Sequence, residues 1–417
     1  MVLFYWILWV IVALSELSIL WSLVFCTDRI LEKRYSSDGD NKKEHKFVLM
    51  IPVFDEINYI EASFDYFKQF VEKGIHCVYI TTEKESQLYG TCRTKEKLVE
   101  LMKNNPSPFM HICHYPYSKG NKVDQLNYFI SRNKGRTCDN DIYLVDLDCD
   151  SRPDLDIVYD MKRILKKYPD ANVIQLNSRF WSVNKKSPIL NLEAFYQTRW
   201  SFGFERLNQY FSTIPLINRV LVPFAYCVGH GMCIRATFLY RIGQFPQPLE
   251  DVPLGMMLML MKEPIYPCVS KDLAEIVPTT KALLKQAGHW LRSPLQAMPM
   301  YRKARSLKHI STYRTIMYFA RVALDILSWL QYLILLIVAL FLLEVSPWYL
   351  VGYFVLLYIT SILSLTLIRR YKRDDEWYES IWFFLLLPLR HFIRGLSIFS
   401  FIYQKYFGWF YDKRKNQ

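Results

Sequence analysis

The sequence contains no Cys-x-x-Cys pair, and its nine cysteines are scattered along 417 residues. Such spacing signals neither a zinc site nor a disulfide framework, and it reads as free thiols in a reducing compartment. Internal repeats and low-complexity tracts are missing as well, which excludes a repeat architecture. The first apolar stretch lacks the positive start and small-residue cleavage site of a secretory signal. Phe25 also stands where lipidation of Cys26 would call for a small residue. The net charge is +13, yet no aromatic-interleaved basic stripe goes with it, which argues against a nucleic-acid partner. The positive excess sits beside apolar stretches instead: Arg302, Lys303, Arg305 and Lys308, then Arg369, Arg370, Lys372 and Arg373, then Lys413 to Lys415. That placement belongs to the cytoplasmic face of a lipid bilayer.

What is present divides the chain. Val2 to Phe25 is apolar apart from Glu16 and long enough to span a bilayer, so 1–26 reads as a retained anchor. Arg29, Lys33 and Arg34 place its far end in the cytoplasm. A polar linker at 27–46 follows, and strand and helix patterns then alternate through 47–280. Strands are expected at 47–53, 76–81, 109–114, 142–147 and 173–176, with helices at 60–73, 93–104, 122–133 and 157–168. The alternation implies an α/β domain with a mainly parallel sheet. Amphipathic, basic helices at 281–316 would lie on the membrane face. Apolar segments at 317–345 and 347–369 would span it, joined by a tight hairpin. Residues 379–405 carry Arg390, His391 and Arg394, and charges are costly in lipid, so that transmembrane or interfacial segment lines a cavity, pairs with protein groups or lies in the interface. A basic tail, 406–417, ends the chain.

The stretch Tyr143-Leu144-Val145-Asp146-Leu147-Asp148-Cys149-Asp150-Ser151-Arg152-Pro153 places three acids at alternate positions on leaving a strand. Asp148 and Asp150 should project the same way, as a hard divalent cation requires, with Asp146 as a competing frame. The plain alternative is a solvated acidic turn, or a carboxylate paired with a nearby lysine. Asp55 and Glu56 end the first strand, and ligands in open α/β sheets bind beyond such carboxyl ends.

Further motifs follow in order: Ile51-Pro52-Val53-Phe54-Asp55-Glu56, the Lys119 to Asn127 stretch, Gly229-His230-Gly231, Leu249-Glu250-Asp251 and Gln286-Ala287-Gly288-His289-Trp290. Together with the acidic turn they resemble the membrane-embedded family 2 glycosyltransferases that include the cellulose, chitin and hyaluronan synthases. The resemblance covers about 47–294, and the flanking apolar segments match it too. It implies a GT-A-type nucleotide-sugar-binding domain with N- and C-terminal transmembrane helices. It assigns Asp148 and Asp150 to Mg2+ or Mn2+, and Asp251, with Glu250, to catalysis as the general base. Asp251 before Val252-Pro253 is also a good helix cap. Asp55, Lys119, Lys122, Asn127, Gln286 and His289 would contact the nucleotide sugar, while Gly229, Gly231 and Trp290 would face the acceptor.

Two departures qualify the match. Where the family carries Asp-Asp-Gly after the second strand, this chain reads Thr81-Thr82-Glu83, leaving Glu83 to meet a uracil. The family's Q-x-x-R-W has His289 in place of arginine, a group charged only part of the time near neutral pH. The resemblance therefore implies an inverting, metal-dependent hexosyltransferase in the plasma (inner) membrane with its catalytic domain in the cytoplasm. It would pass a sugar from a UDP donor to a growing polysaccharide, with possible export through the spans. Single transfer to a membrane lipid or lipid-linked glycan is the alternative. Three or four spans make a narrow pore, which a homo-oligomer would widen.

Overall fold

The computed structural model describes residues 1–36, 44–135, 141–372, 376–377 and 379–406. Residues 37–43 of the expected linker, Arg373 and the tail from 407 onward lie outside the described residues.

The strands are β1 (Lys46–Pro52), β2 (His76–Thr82), β3 (Met110–Tyr115), β4 (Ile142–Asp146), β5 (Arg152–Pro153), β6 (Val173–Trp181), β7 (Met232–Arg235) and β8 (Tyr266–Glu275). They form one sheet in the order β3-β2-β1-β4-β7-β6-β8-β5. The pairings β1–β2, β1–β4, β2–β3 and β6–β8 are parallel, while β7 and β5 run antiparallel to their neighbours. The sheet is thus mixed and mostly parallel, with three strands beyond the five that the apolar runs announced.

Side chains alternate across it, as an extended chain dictates. Met50, Val78, Ile80, Leu144, Met232 and Ile234 enter a core on one face, against Leu126 and Ile130 of the Lys122–Arg132 helix and the apolar Val252–Met261 helix. Leu49, Ile51, Tyr79, Tyr143, Val145 and Cys233 enter the other, against Phe64, Phe67 and Phe70 of Ile60–Glu72 and Ile164 of Ile157–Lys167. Each fully buried Phe or Ile side chain contributes about 1.5–3 kcal/mol.

Among the described residues, three helices are long and apolar enough to cross a membrane: Val2–Phe25, Thr312–Phe341 and Trp348–Tyr371. They share a core with the Pro188–Trp200 helix, through Tyr5, Val12, Phe195, Leu335, Tyr353 and Leu357. Glu16, the charge in the first of them, forms a buried ion pair with Arg199, which also donates to Ser364 Oγ at 2.8 Å. The expected amphipathic region is helical at Thr280–Trp290 and Ala297–Leu307. Thr280–Trp290 packs on the final helix, Leu387–Tyr406. That helix brings Arg390 into a buried pair with Glu193 at 2.8 Å and lays Arg394 over the Trp329 ring at 4.0 Å.

Candidate active site

The topology gathers the acids. Because β1 and β4 are parallel, with Met50 opposite Asp146, their carboxyl ends share one edge of the sheet. Strand β7 starts at that edge in the opposite sense, with Met232 opposite Asp146. The chain entering it therefore lies against the acidic turn, and Gly231 N–H donates to the Asp146 carbonyl at 2.7 Å. Gly231 adopts φ +70°, and a Cβ there would stand 2.9 Å from Leu176 Cβ. A Cβ on Gly229 would meet Glu250 Oε1 at 3.2 Å and Asp251 Oδ2 at 3.3 Å, so glycine lets the acidic loop close in.

Lys122, at the start of its helix, is held among three carboxylates. Its Nζ lies 3.1 Å from Asp146, 2.8 Å from Asp148 and 3.4 Å from Glu250, and it donates to the Gly229 carbonyl. Burial alone would lower the ammonium's pKa, but these three carboxylates hold it well above the usual lysine value. Burial pushes the Asp146 carboxyl up, and the charges of Glu250 and Asp148 add to the effect against the pull of Lys122. One positive charge thus faces three acids, with Asp150 and Asp251 nearby. This surplus of hard oxygen donors fits a divalent cation of the Mg2+ or Mn2+ type.

Asp251 caps the Val252–Met261 helix, accepting from Val252 N–H at 2.6 Å, while its carboxylate also borders the cavity. Burial and the neighbouring Glu250 push it up to about 7. His230 Nδ1 donates to Asp272 Oδ2 at 2.7 Å, and Ser151 Oγ donates to the same carboxylate oxygen at 2.8 Å, pinning the acidic turn. Burial works against the charged imidazole, but the Asp272 hydrogen bond and charge raise it to about 9.

These groups open on a cavity of about 520 Å³. Asp148, Asp150, Glu250 and Asp251 line its sheet side, and Gln286, His289 and Trp290 a second wall. Trp200, Trp329, Asp325 and Arg394 carry it to the apolar helices. The Trp290 and Trp329 rings meet edge-on with centroids 6.1 Å apart. Burial, with Arg292 adding, pushes His289 down to about 4. Glu205 ends a π-helical turn, Ser201–Glu205, a distortion frequent at functional sites. Burial raises it to about 7, although Tyr226 OH donates to it at 2.9 Å.

Of the residues singled out in the sequence, Lys122, Asp148, Asp150, Gly229, Glu250, Asp251, Gln286, His289 and Trp290 border this one cavity. Others have different partners. Asp55, at φ 58°, accepts from Tyr89 OH at 3.0 Å. Glu83 binds Ser86 and His114, and the Asn127 amide makes two 3.0 Å bonds to the Phe245 backbone. The Lys119 carbonyl accepts from Tyr115 OH at 3.2 Å. Arg394 was named among the charges of 379–405, whereas sequence reasoning missed Glu205, His230, Asp272 and Asp325. Only His230 carried a signal, as the centre of Gly229-His230-Gly231.

No family model matches the sequence, and no curated protein does. Among solved structures the chain is similar to the mannosyltransferase PcManGT from Pyrobaculum calidifontis, in complex with GDP-Man and Mn2+. The two are 11% identical, the match covers 94% of this chain and 99% of that one, and the TM-score is 0.48.

Proposed function

We propose that this chain is a membrane-anchored, metal-dependent glycosyltransferase that passes a sugar, with inversion, from a nucleoside diphosphate to an acceptor at the bilayer. The observation that carries this reading is the cavity that joins a carboxylate cluster to an aromatic-walled path toward the apolar helices. UDP is the expected nucleotide, and the nucleotide-sugar domain would be of the GT-A type.

Asp148 and Asp150 would hold the divalent cation, which when bound neutralises the departing diphosphate. Lys122 adds a fixed positive charge beside them and, at a helix start, favours phosphate oxygens further. Asp251 takes the proton of the acceptor hydroxyl as that oxygen attacks the anomeric carbon. Its raised pKa suits this role, since a base works best when its pKa lies near the working pH. Trp290, Trp329 and Trp200 offer faces for sugar rings and keep water from the reacting bond. Asp325 and Trp329 belong to the apolar helix Thr312–Phe341, and Arg394 to the final helix packed beside it, which favours an acceptor that enters from, or leaves into, the membrane.

The test is a panel of labelled UDP- and GDP-sugars given with Mn2+ to the purified protein in detergent, with products sized and extracted into organic solvent. Large water-soluble product identifies a polymer synthase, and one small lipid-soluble product identifies single transfer to lipid. Donor binding that is absent from calorimetry with every nucleotide sugar would overturn the reading.

A further inference from the structure

A second group of ligand-type side chains lies outside the cavity, at the carboxyl ends of β2 and β3. Glu83 follows β2, His114 lies on β3, and Cys92 precedes the Arg93–Asn104 helix. One ligand atom from each falls within 4.8 Å of the other two. Glu83 Oε2 is 2.8 Å from His114 Nε2 and 3.6 Å from Cys92 Sγ. Around a tetrahedral zinc ion, bond lengths of about 2.0–2.3 Å place oxygen and nitrogen about 3.3 Å apart and oxygen and sulfur about 3.5 Å apart. The sulfur spacing already fits, and the nitrogen needs to withdraw by about half an ångström. The imidazole is oriented for this: Thr81 Oγ1 bonds its Nδ1 at 2.9 Å, leaving Nε2 toward the other two ligands, as the outer partners of metal-bound histidines do.

We propose that Glu83, Cys92 and His114 form a binding site for a thiophilic transition-metal ion of the Zn2+ class, separate from the hard-cation site at Asp148 and Asp150. Thiolate, imidazole and carboxylate together select Zn2+ over Mg2+. Three protein ligands leave one position for water, and the partial exposure of Glu83 and His114 gives that water access. Ligation would tie the 83–92 segment to β3, and so steady Tyr89, which holds Asp55, and Lys84, whose Nζ donates to the Gly120 carbonyl at 3.2 Å. The proposal does not depend on the glycosyltransferase reading.

Titrating the purified full-length protein with Co2+ tests it, because thiolate bound to Co2+ gives a ligand-to-metal charge-transfer band. The expected result is one equivalent of Co2+ with that band, displaced by Zn2+ but not by Mg2+. Cys92→Ser should abolish the band, His114→Gln should weaken affinity at least about tenfold, and Thr81→Val should cost about 10–100-fold. Asp148→Asn should leave the band intact. No band, or one that survives Cys92→Ser in protein whose melting temperature is unchanged, would overturn the proposal. Should Cys92→Ser fail to fold, undiminished affinity in His114→Gln would overturn it equally.

Discussion

At the scale of single residues, the balance at Lys122 sets the character of the site. One ammonium is shared by Asp146, Asp148 and Glu250, so removing an acid should change the placing of the lysine as well as the proposed cation binding. Asp148→Ala should abolish Mn2+-dependent donor binding in calorimetry and reduce transfer to background. Retention of both would refute the cation assignment. As the proposed base, Asp251 would act only when ionised, so transfer should rise with pH through about 7 and level off above it. The same shift has a stability consequence of fixed sign. A carboxyl raised above its unfolded value of about 3.9 stabilises the fold below that value and loses the contribution as pH rises through its folded pKa. Asp251→Asn should therefore gain in melting temperature on the unaltered protein as pH rises from about 4 to about 7, and hold that gain above it. His289, held near 4, is neutral where Asp251 ionises, close to pH 7. Its replacement by Gln should leave the shape of the pH–rate profile unchanged, and a shifted profile would show that its charge matters. The acids at alternate positions were legible because a strand repeats every two residues. That one of them would be matched by Lys122 was not, because the pair is 26 residues apart and meets only through the sheet. His230 and Asp272, 42 residues apart, are hidden for the same reason.

At the scale of elements, buried charge pairs join the apolar helices to the sheet domain. Glu16–Arg199 links the first apolar helix to Pro188–Trp200, and Arg390–Glu193 links the final helix to the same element. Arg314, at the start of Thr312–Phe341, donates to the Met259 and Asn218 carbonyls at 2.6 and 3.0 Å and so anchors that helix on the domain. Breaking such a pair strands a charge. Glu16→Leu should cost about 3–5 kcal/mol in detergent unfolding, and adding Arg199→Leu should recover most of it. A neutral single substitution would contradict the pairing. The elements that sequence patterning named were long apolar runs with clear ends, such as β1 and the Val252–Met261 helix behind its Asp251 cap. Strand β7 escaped notice because four residues, Met-Cys-Ile-Arg, are too few to show a period. Strand β8 contains Pro267, Lys271 and Asp272, which read as loop chemistry until the pairing with β6 is seen. The charges in 379–405 gave the sequence three readings, and two are present together: Arg390 pairs with protein and Arg394 lines the cavity.

At the scale of the whole molecule, the cavity lies where the sheet domain meets the apolar helices, and its two ends differ chemically. The sheet end is acidic, suited to a cation and phosphates, while the other is walled by tryptophans and reaches Asp325 and Arg394. A donor from water and an acceptor from the membrane would meet at Asp251. The measurement that bears most directly on this account compares Asp251→Asn with the unaltered protein, scoring product formation with Mn2+ and, separately, donor affinity by calorimetry. The account predicts that the variant binds donor within about threefold of the unaltered protein while transfer falls by at least about 10²-fold, the scale of a lost general base. Transfer that persists in a folded, donor-binding variant would show that the proton goes elsewhere and that Asp251 only caps its helix.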